Sequence, residues 1–233
     1  MKGTLYLIPV TIGESDLHKT IPAGVSEVVK RLRVFIVEEI RTARRYLRKT
    51  DPAFPLDDVV FHILNEHTGK AEHAAFLTEL MEGNDTGLMS EAGLPGIADP
   101  GANIVALAHR KGIKVSPLAG PSSILLGLIA SGLNGQRFAF NGYLPVKQNE
   151  RIKAIREMEV RSSEGEAQVF METPYRNMKL LTDLINVCRG NTMLCVAAGI
   201  TTAEEFISTR SIGEWKKDLP VIDRIPAVFV LQG

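Results

Sequence analysis

Four arginines, Arg41, Arg44, Arg45 and Arg48, fall at i, i+3, i+4 and i+7, so a helix would carry them as one basic stripe, with Ile40, Ala43 and Leu47 on an apolar side. Such a stripe either contacts phosphates or is a solvated face paired with nearby acids. Lys147, Arg151 and Lys153 form a candidate second basic edge. Between them, His62-Ile-Leu-Asn-Glu-His67 offers a general base in His67 and a hydrogen-bonding side chain in Asn65, or else only a loop ahead of a helix. The most informative pattern is five separated places, residues 9–13, 90–95, 119–123, 171–174 and 197–199, where an apolar run gives way to small or bent residues, with Pro226-Ala227 entering a further run. Each alone is turn chemistry. Jointly they offer backbone-lined walls for an extended ligand, with hydroxyls such as Ser122 and Ser123 for its polar ends.

Other chemistries lack their signatures. There is no GxxxxGK[ST] and no GxGxxG opening a helix after the first strand, so ATP and NAD lose their usual support. The five histidines do not cluster at ligand spacing, and no metal site is expected. Neither Ser90 nor Ser122 lies in GxSxG, and covalent catalysis is not indicated. Cys188 and Cys195 have no CxxC spacing and are too few for a disulfide framework, which fits small buried residues in a reducing compartment. Lys+Arg and Asp+Glu both number 27, so any nucleic-acid surface must be local. Met1-Lys2-Gly3 leads directly into an apolar strand with no signal-peptide pattern, and no run approaches the length of a membrane span. A cytoplasmic location is expected.

The elements that must position these residues alternate along all 233 residues. Short aliphatic runs predict strands at 4–8, 34–37, 59–63, 86–89 and 114–117, with 3.6-periodic helices at 23–32, 40–49, 71–82 and 102–111 between them. Beyond, helices are predicted at 122–131, 149–159, 175–188 and 212–217, and strands at 137–142, 168–172, 193–198, 205–209 and 227–232. This is the pattern of an α/β fold with two α/β domains, 1–117 and 118–233, the first sheet mainly parallel and the second mixed. Small-residue loops at carboxyl ends of parallel strands are where an open α/β sheet binds its ligand.

Leu5-Tyr-Leu-Ile-Pro9, Ser90-Glu-Ala-Gly-Leu-Pro95 with Ala98-Asp-Pro-Gly101, Gly120-Pro-Ser122, Ala130-Ser-Gly-Leu133, Phe140-Asn-Gly-Tyr-Leu-Pro145 and Glu172-Thr-Pro-Tyr-Arg176 resemble the tetrapyrrole methylase superfamily of S-adenosylmethionine-dependent methyltransferases. Within it they are most similar to the ribosomal RNA small-subunit methyltransferase I branch, which methylates a cytidine 2′-hydroxyl. The resemblance implies a homodimer of two-domain subunits with the methyl donor, S-adenosyl-L-methionine, in a cleft between the domains. Position by position, the donor would meet Pro9, Ile12, Ser90, Ala92, Pro95, Ser122, Ser123, Met171, Ala198 and Ala227. The chain departs from the branch at Glu39-Ile40-Arg41, where Asp-Thr-Arg is usual, and at Glu91, where Asp is usual. It also ends at its last strand, without the small C-terminal extension common in that branch.

Transfer from a sulfonium is a direct displacement, so the protein must align the acceptor and exclude water. A sugar hydroxyl needs a base, and the candidates are Glu39 as base and Arg41 as orienting cation, with Glu91 and His67 behind them. Arg44, Arg45, Arg48, Asn65, Lys147 and Arg151 are the expected contacts to a ribosomal RNA substrate of the small subunit. The alternatives are a methyltransferase for a tetrapyrrole-like small molecule and a non-catalytic module that binds S-adenosylmethionine or RNA.

Overall fold

The computed structural model of the chain describes residues 1–65, 68–69 and 72–233. It divides into two compact units, Met1–Ser122 and Ser123–Gly233.

In the first unit β1 (Thr4–Ile8), β2 (Val34–Val37), β3 (Val60–Ile63), β4 (Thr86–Met89) and β5 (Lys114–Pro117) form an all-parallel sheet in the order β3-β2-β4-β1-β5. β2 and β4 are buried along their whole length, as strands covered on both faces must be. On one face Ile8, Phe35, Val37 and Met89 pack with α1 (Leu17–Thr20), α2 (Ala23–Arg31) and α3 (Ile40–Thr50). On the other, Leu5, Ile36 and Leu88 pack with residues of α5 (Thr78–Glu82), which follows the short α4 (Glu72–Ala75), and of α6 (Ala102–Arg110). The helices leading from β1 to β3 thus cover one face and those leading from β3 to β5 cover the other. The helices that leave the neighbouring strands β1 and β4 therefore lie on opposite faces, the arrangement beside which an open α/β sheet binds its ligand. One predicted helix, 71–82, differs: its described part, 72–82, is not a single rod, because Phe76 and Leu77, between α4 and α5, both turn into the core.

The second unit holds α7 (Ser123–Ser131), β6 (Phe138–Tyr143), α8 (Gln148–Ser163), β7 (Ala167–Glu172), α9 (Asn177–Val187), β8 (Met193–Ala198), β9 (Phe206–Ser211), α10 (Ile212–Trp215) and β10 (Ala227–Gln232). Its sheet runs β6-β7-β10-β8-β9 and is mixed: β6 and β7 are parallel and the remaining pairs antiparallel. α8, α9 and α10 cover one face around the stacked Phe170 and Phe229, whose centroids lie 5.6 Å apart. α7 covers the other, seated so closely that a Cβ at Gly127 would come 3.2 Å from Val228. Cys188 and Cys195 are free and buried, and burial pushes the Cys188 thiol up to about 12, so it behaves as a small apolar residue. Among the described residues no helix is long and apolar enough to cross a membrane.

Candidate functional site

The loops leaving β1, β4 and β5 are tied to one another. Val10 donates its N–H to the carbonyl of Gly93 at 2.9 Å, an isolated antiparallel bridge. Gly120 lies flat against Pro9, where an added Cβ would sit 2.1 Å from the proline Cβ, so only glycine fits. From α3 the buried Tyr46 hydroxyl donates to the Pro9 carbonyl at 2.9 Å. Ile12 is half-buried beside Gly93, Ser90, Pro95 and Ser122 are buried, and Ala92 is exposed. The Ser90 hydroxyl donates to the Ala92 carbonyl at 3.2 Å. The β4–α6 loop takes left-handed backbone at Gly93, Gly96 and Gly101, and also at Ala98, whose φ is 62°. A residue with a Cβ pays roughly 1 kcal/mol or more for that conformation, a strain that concentrates at functional loops.

Three carboxylates gather at these strand ends. Glu38, the first residue after β2, accepts the N–H of Glu91 at 3.3 Å. Burial, then the charge of Asp99, then that of Glu91 push Glu38 up to about 7, outweighing the N–H that favours its ionised form. Asp99 is raised as well, by burial first and then by Glu91, against a hydrogen bond with Ser90. An acid poised near 7 is ionised often enough to accept a proton and basic enough to keep it. Among the described residues no group of three or more His, Cys, Asp or Glu side chains could hold a metal ion.

Glu39, the base expected from the sequence, follows Glu38 at the start of α3. It is exposed, and its carboxylate accepts the Arg41 N–H at 3.0 Å as the N-cap of α3. The sequence reading named neither Glu38 nor Asp99, the two acids whose proton affinity the fold raises. The signal was present in the adjacent acids Glu38-Glu39: an acid directly before a helix caps it, which leaves the preceding acid at the strand end.

The remaining expected residues fall in several places. Arg41, Arg44, Arg45 and Arg48 are all exposed on α3, opposite the buried Ala43, Tyr46 and Leu47. Arg44 lies 3.9 Å from the fully exposed Asp57, and Arg48 donates to the Pro52 carbonyl at 2.6 Å. Asn65 shapes a turn, its N–H donating to the Thr68 hydroxyl at 3.0 Å. His62 is turned toward α5 and pairs with Glu79 at 3.0 Å, while His67 lies outside the described residues. The second basic edge is not formed. Arg151 is 2% exposed, paired with Asp183 and donating to the carbonyls of Pro145 and Val146, because a guanidinium this deep must spend its donors internally. Lys147 and Lys153 are exposed and paired with Glu150 and Glu157 on the same helix.

In the second unit Ser123 opens α7. Met171, Ala198 and Ala227 sit at one end of the sheet, where Ala227 is opposite both Glu172 and Ala198, and Met171 is opposite Val228. Ala198 and Ala227 belong to the core under α8 and α9, so any ligand beyond the strand ends would meet their backbone. At the same end Glu172 is buried and accepts the N–H of Thr173 at 2.7 Å and Nε of Arg176 at 2.9 Å.

Comparison with known proteins gives a consistent result. The family model for tetrapyrrole (corrin/porphyrin) methylases matches residues 4–215. A protein of Halalkalibacterium halodurans named ribosomal RNA small subunit methyltransferase I is 31% identical over 207 residues, which span 88% of this chain and 68% of that protein. Its namesake from Escherichia coli O157:H7 is 30% identical over 221 residues, spanning 93% of this chain and 73% of that protein. Among solved structures, that of the methyltransferase CobJ superposes with a TM-score of 0.66 at 15% identity, covering 99% of this chain and 94% of CobJ, a likeness of fold.

Proposed function

Because this chain belongs to the tetrapyrrole (corrin/porphyrin) methylase family and is an S-adenosylmethionine-dependent methyltransferase, we propose that it methylates a ribose 2′-hydroxyl in small-subunit ribosomal RNA. The observation that carries this reading is Glu38, raised to about 7 between Glu91 and Asp99, a few residues from the exposed arginine stripe of α3. A ribose hydroxyl is a weak acid and needs a base at neutral pH, whereas the stripe suits a substrate with phosphates. The names of the relatives point the same way.

S-adenosylmethionine supplies an electrophilic methyl group on a positively charged sulfonium. The residues present fit it: the clustered carboxylates of Glu38, Glu91 and Asp99 oppose a positive charge, and Gly93, Gly96 and Gly120 bring backbone forward without a Cβ. Pro9, Ile12, Ser90, Ala92, Pro95 and Ser122 are the contacts assigned to it in the first unit. Glu38 Oε would accept the proton of the acceptor hydroxyl, leaving its oxygen free to attack the methyl group. Glu91 holds Glu38 through its N–H, and Asp99 keeps the Glu38 proton affinity high. Arg41, Arg44, Arg45 and Arg48 draw in the RNA backbone, each phosphate neutralised steepening the salt dependence of binding. The reading includes a homodimer acting in the cytoplasm, as the family resemblance implies.

The test is incubation with labelled methyl donor and small ribosomal subunits from a strain lacking its own enzyme for the site, with tetrapyrrole precursors in parallel. Label in RNA, at a nucleotide whose 3′ linkage becomes resistant to alkali, is the expected result. Label in the tetrapyrrole fraction alone would replace the proposal.

A further inference from the structure

Tyr175 is 79% exposed, the most exposed aromatic side chain among the large exposed hydrophobics of the described residues. It stands on a short 3-10 turn, Pro174–Arg176, directly after β7. Both supports of that turn are pinned. On one side the buried carboxylate of Glu172 holds the N–H of Thr173 and the guanidinium of Arg176. On the other, Arg224 takes left-handed backbone at φ 62° and donates its N–H to the Pro174 carbonyl at 3.3 Å. The Asn177 side chain, on a fully buried residue, ties the Ile225 carbonyl to the start of α9. The Arg224 guanidinium lies over the Tyr175 ring, 5.9 Å from its centroid.

The arrangement leaves an aromatic ring in solvent on a fixed base, with a cation against it. Nothing in the packing of the unit uses the ring, which belongs to none of its apolar clusters. Charge cancels locally: Glu172 is paired with Arg176, and Arg224 lies 3.7 Å from Asp223. A phosphate gains little there. A flat, neutral ring gains a stacking partner whose backbone is already held, and unpaired bases are bound in this way, on aromatic rings with arginine alongside.

We propose that Tyr175, backed by Arg224, is a stacking platform for an unpaired base of the acceptor RNA, an inference that rests on the RNA reading above. It divides the labour of RNA binding, with salt-dependent attraction at the arginine stripe and salt-independent stacking at Tyr175.

Titration of wild type, Tyr175→Ala and Tyr175→Phe with a short single-stranded oligoribonucleotide, at several salt concentrations and alongside the methylation assay, tests it. The alanine variant should bind on the order of 10-fold more weakly, with the slope of log affinity against log salt unchanged, and the phenylalanine variant should bind like wild type. In Tyr175→Trp, RNA should quench the new indole, the native Trp215 being only 1% exposed. A wild type that methylates RNA while the alanine variant binds with undiminished affinity overturns the platform alone. A wild type that neither binds nor methylates RNA overturns the RNA reading and the platform with it. Quenching by uroporphyrin but not by RNA would reassign the ring to a macrocycle.

Discussion

Glu38 and Glu172 are carboxylates at the carboxyl ends of strands, one in each unit, and their surroundings put them to opposite uses. Glu172 is the more deeply buried, and it is answered by a guanidinium and a backbone N–H, so its charge is satisfied and it holds a turn in place. Glu38 is only partly buried, yet its charged neighbours are Asp99 and Glu91, and a single N–H opposes them. Burial is the largest cause of the rise at Glu38 and the like charges of Asp99 and Glu91 add to it, whereas at Glu172 a guanidinium and a backbone N–H stand against the buried carboxylate.

Breaking the contrast at Glu38 has the largest expected effect. Glu38→Gln should lower kcat by roughly 10²- to 10⁴-fold while leaving the affinity for S-adenosylhomocysteine, measured by calorimetry, within a few-fold. Wild-type kcat/KM should rise with pH through about 7 as Glu38 ionises, and the variant should lose that limb. A variant with near-normal turnover and an unchanged profile would show that Glu38 is not the base. The same group carries an opposite stability signature. Its folded-state pKa lies above its ordinary 4.5, so the folded chain holds the extra proton, and the stability this contributes is complete below about 4.5 and lost as pH rises through about 7. Urea denaturation of wild type and Glu38→Gln should therefore favour the variant more at pH 8 than at pH 5.

At Glu172 the expectation reverses. Arg176→Ala leaves a buried, unpaired carboxylate and should cost about 3 kcal/mol of stability, seen as a lower urea midpoint. Arg176→Ala with Glu172→Gln should recover part of the loss, because the stranded charge is gone. If Arg176→Ala proved neutral in stability, the pair would not be holding the turn.

The smallest effect belongs to Glu39. Glu39→Gln weakens a helix cap and should cost about 1 kcal/mol or less, with turnover within about twofold of wild type. A large loss of turnover with intact folding would return the base role to Glu39 and dissolve the contrast.

Much of this molecule is legible in its residues. Val34–Val37 is a short, uniformly apolar run and Thr86–Met89 a short run without charge, and both are fully buried central strands. The spacing of Arg41, Arg44, Arg45 and Arg48 placed them on one exposed face, because helical period follows from backbone geometry alone. Arg151 was not legible. Its neighbours Glu150 and Ile152 carry no sign of its burial, and Asp183, contributed by α9, is what draws it 2% exposed into the interior. Nor was the break in α4 and α5, where two consecutive apolar residues both found core positions.

What the sequence determined by itself was the α/β alternation, the parallel and mixed characters of the two sheets and the family, all of which depend on local periodicity and on motifs read in order. Tertiary structure decided which of two adjacent acids has its proton affinity raised. Glu38 and Glu39 are chemically identical, and only the folded chain brings Glu91 and Asp99, from a loop more than fifty positions away, beside one of them while the other caps a helix. Proton affinity is a property of surroundings, and those surroundings exist only after the strands have paired.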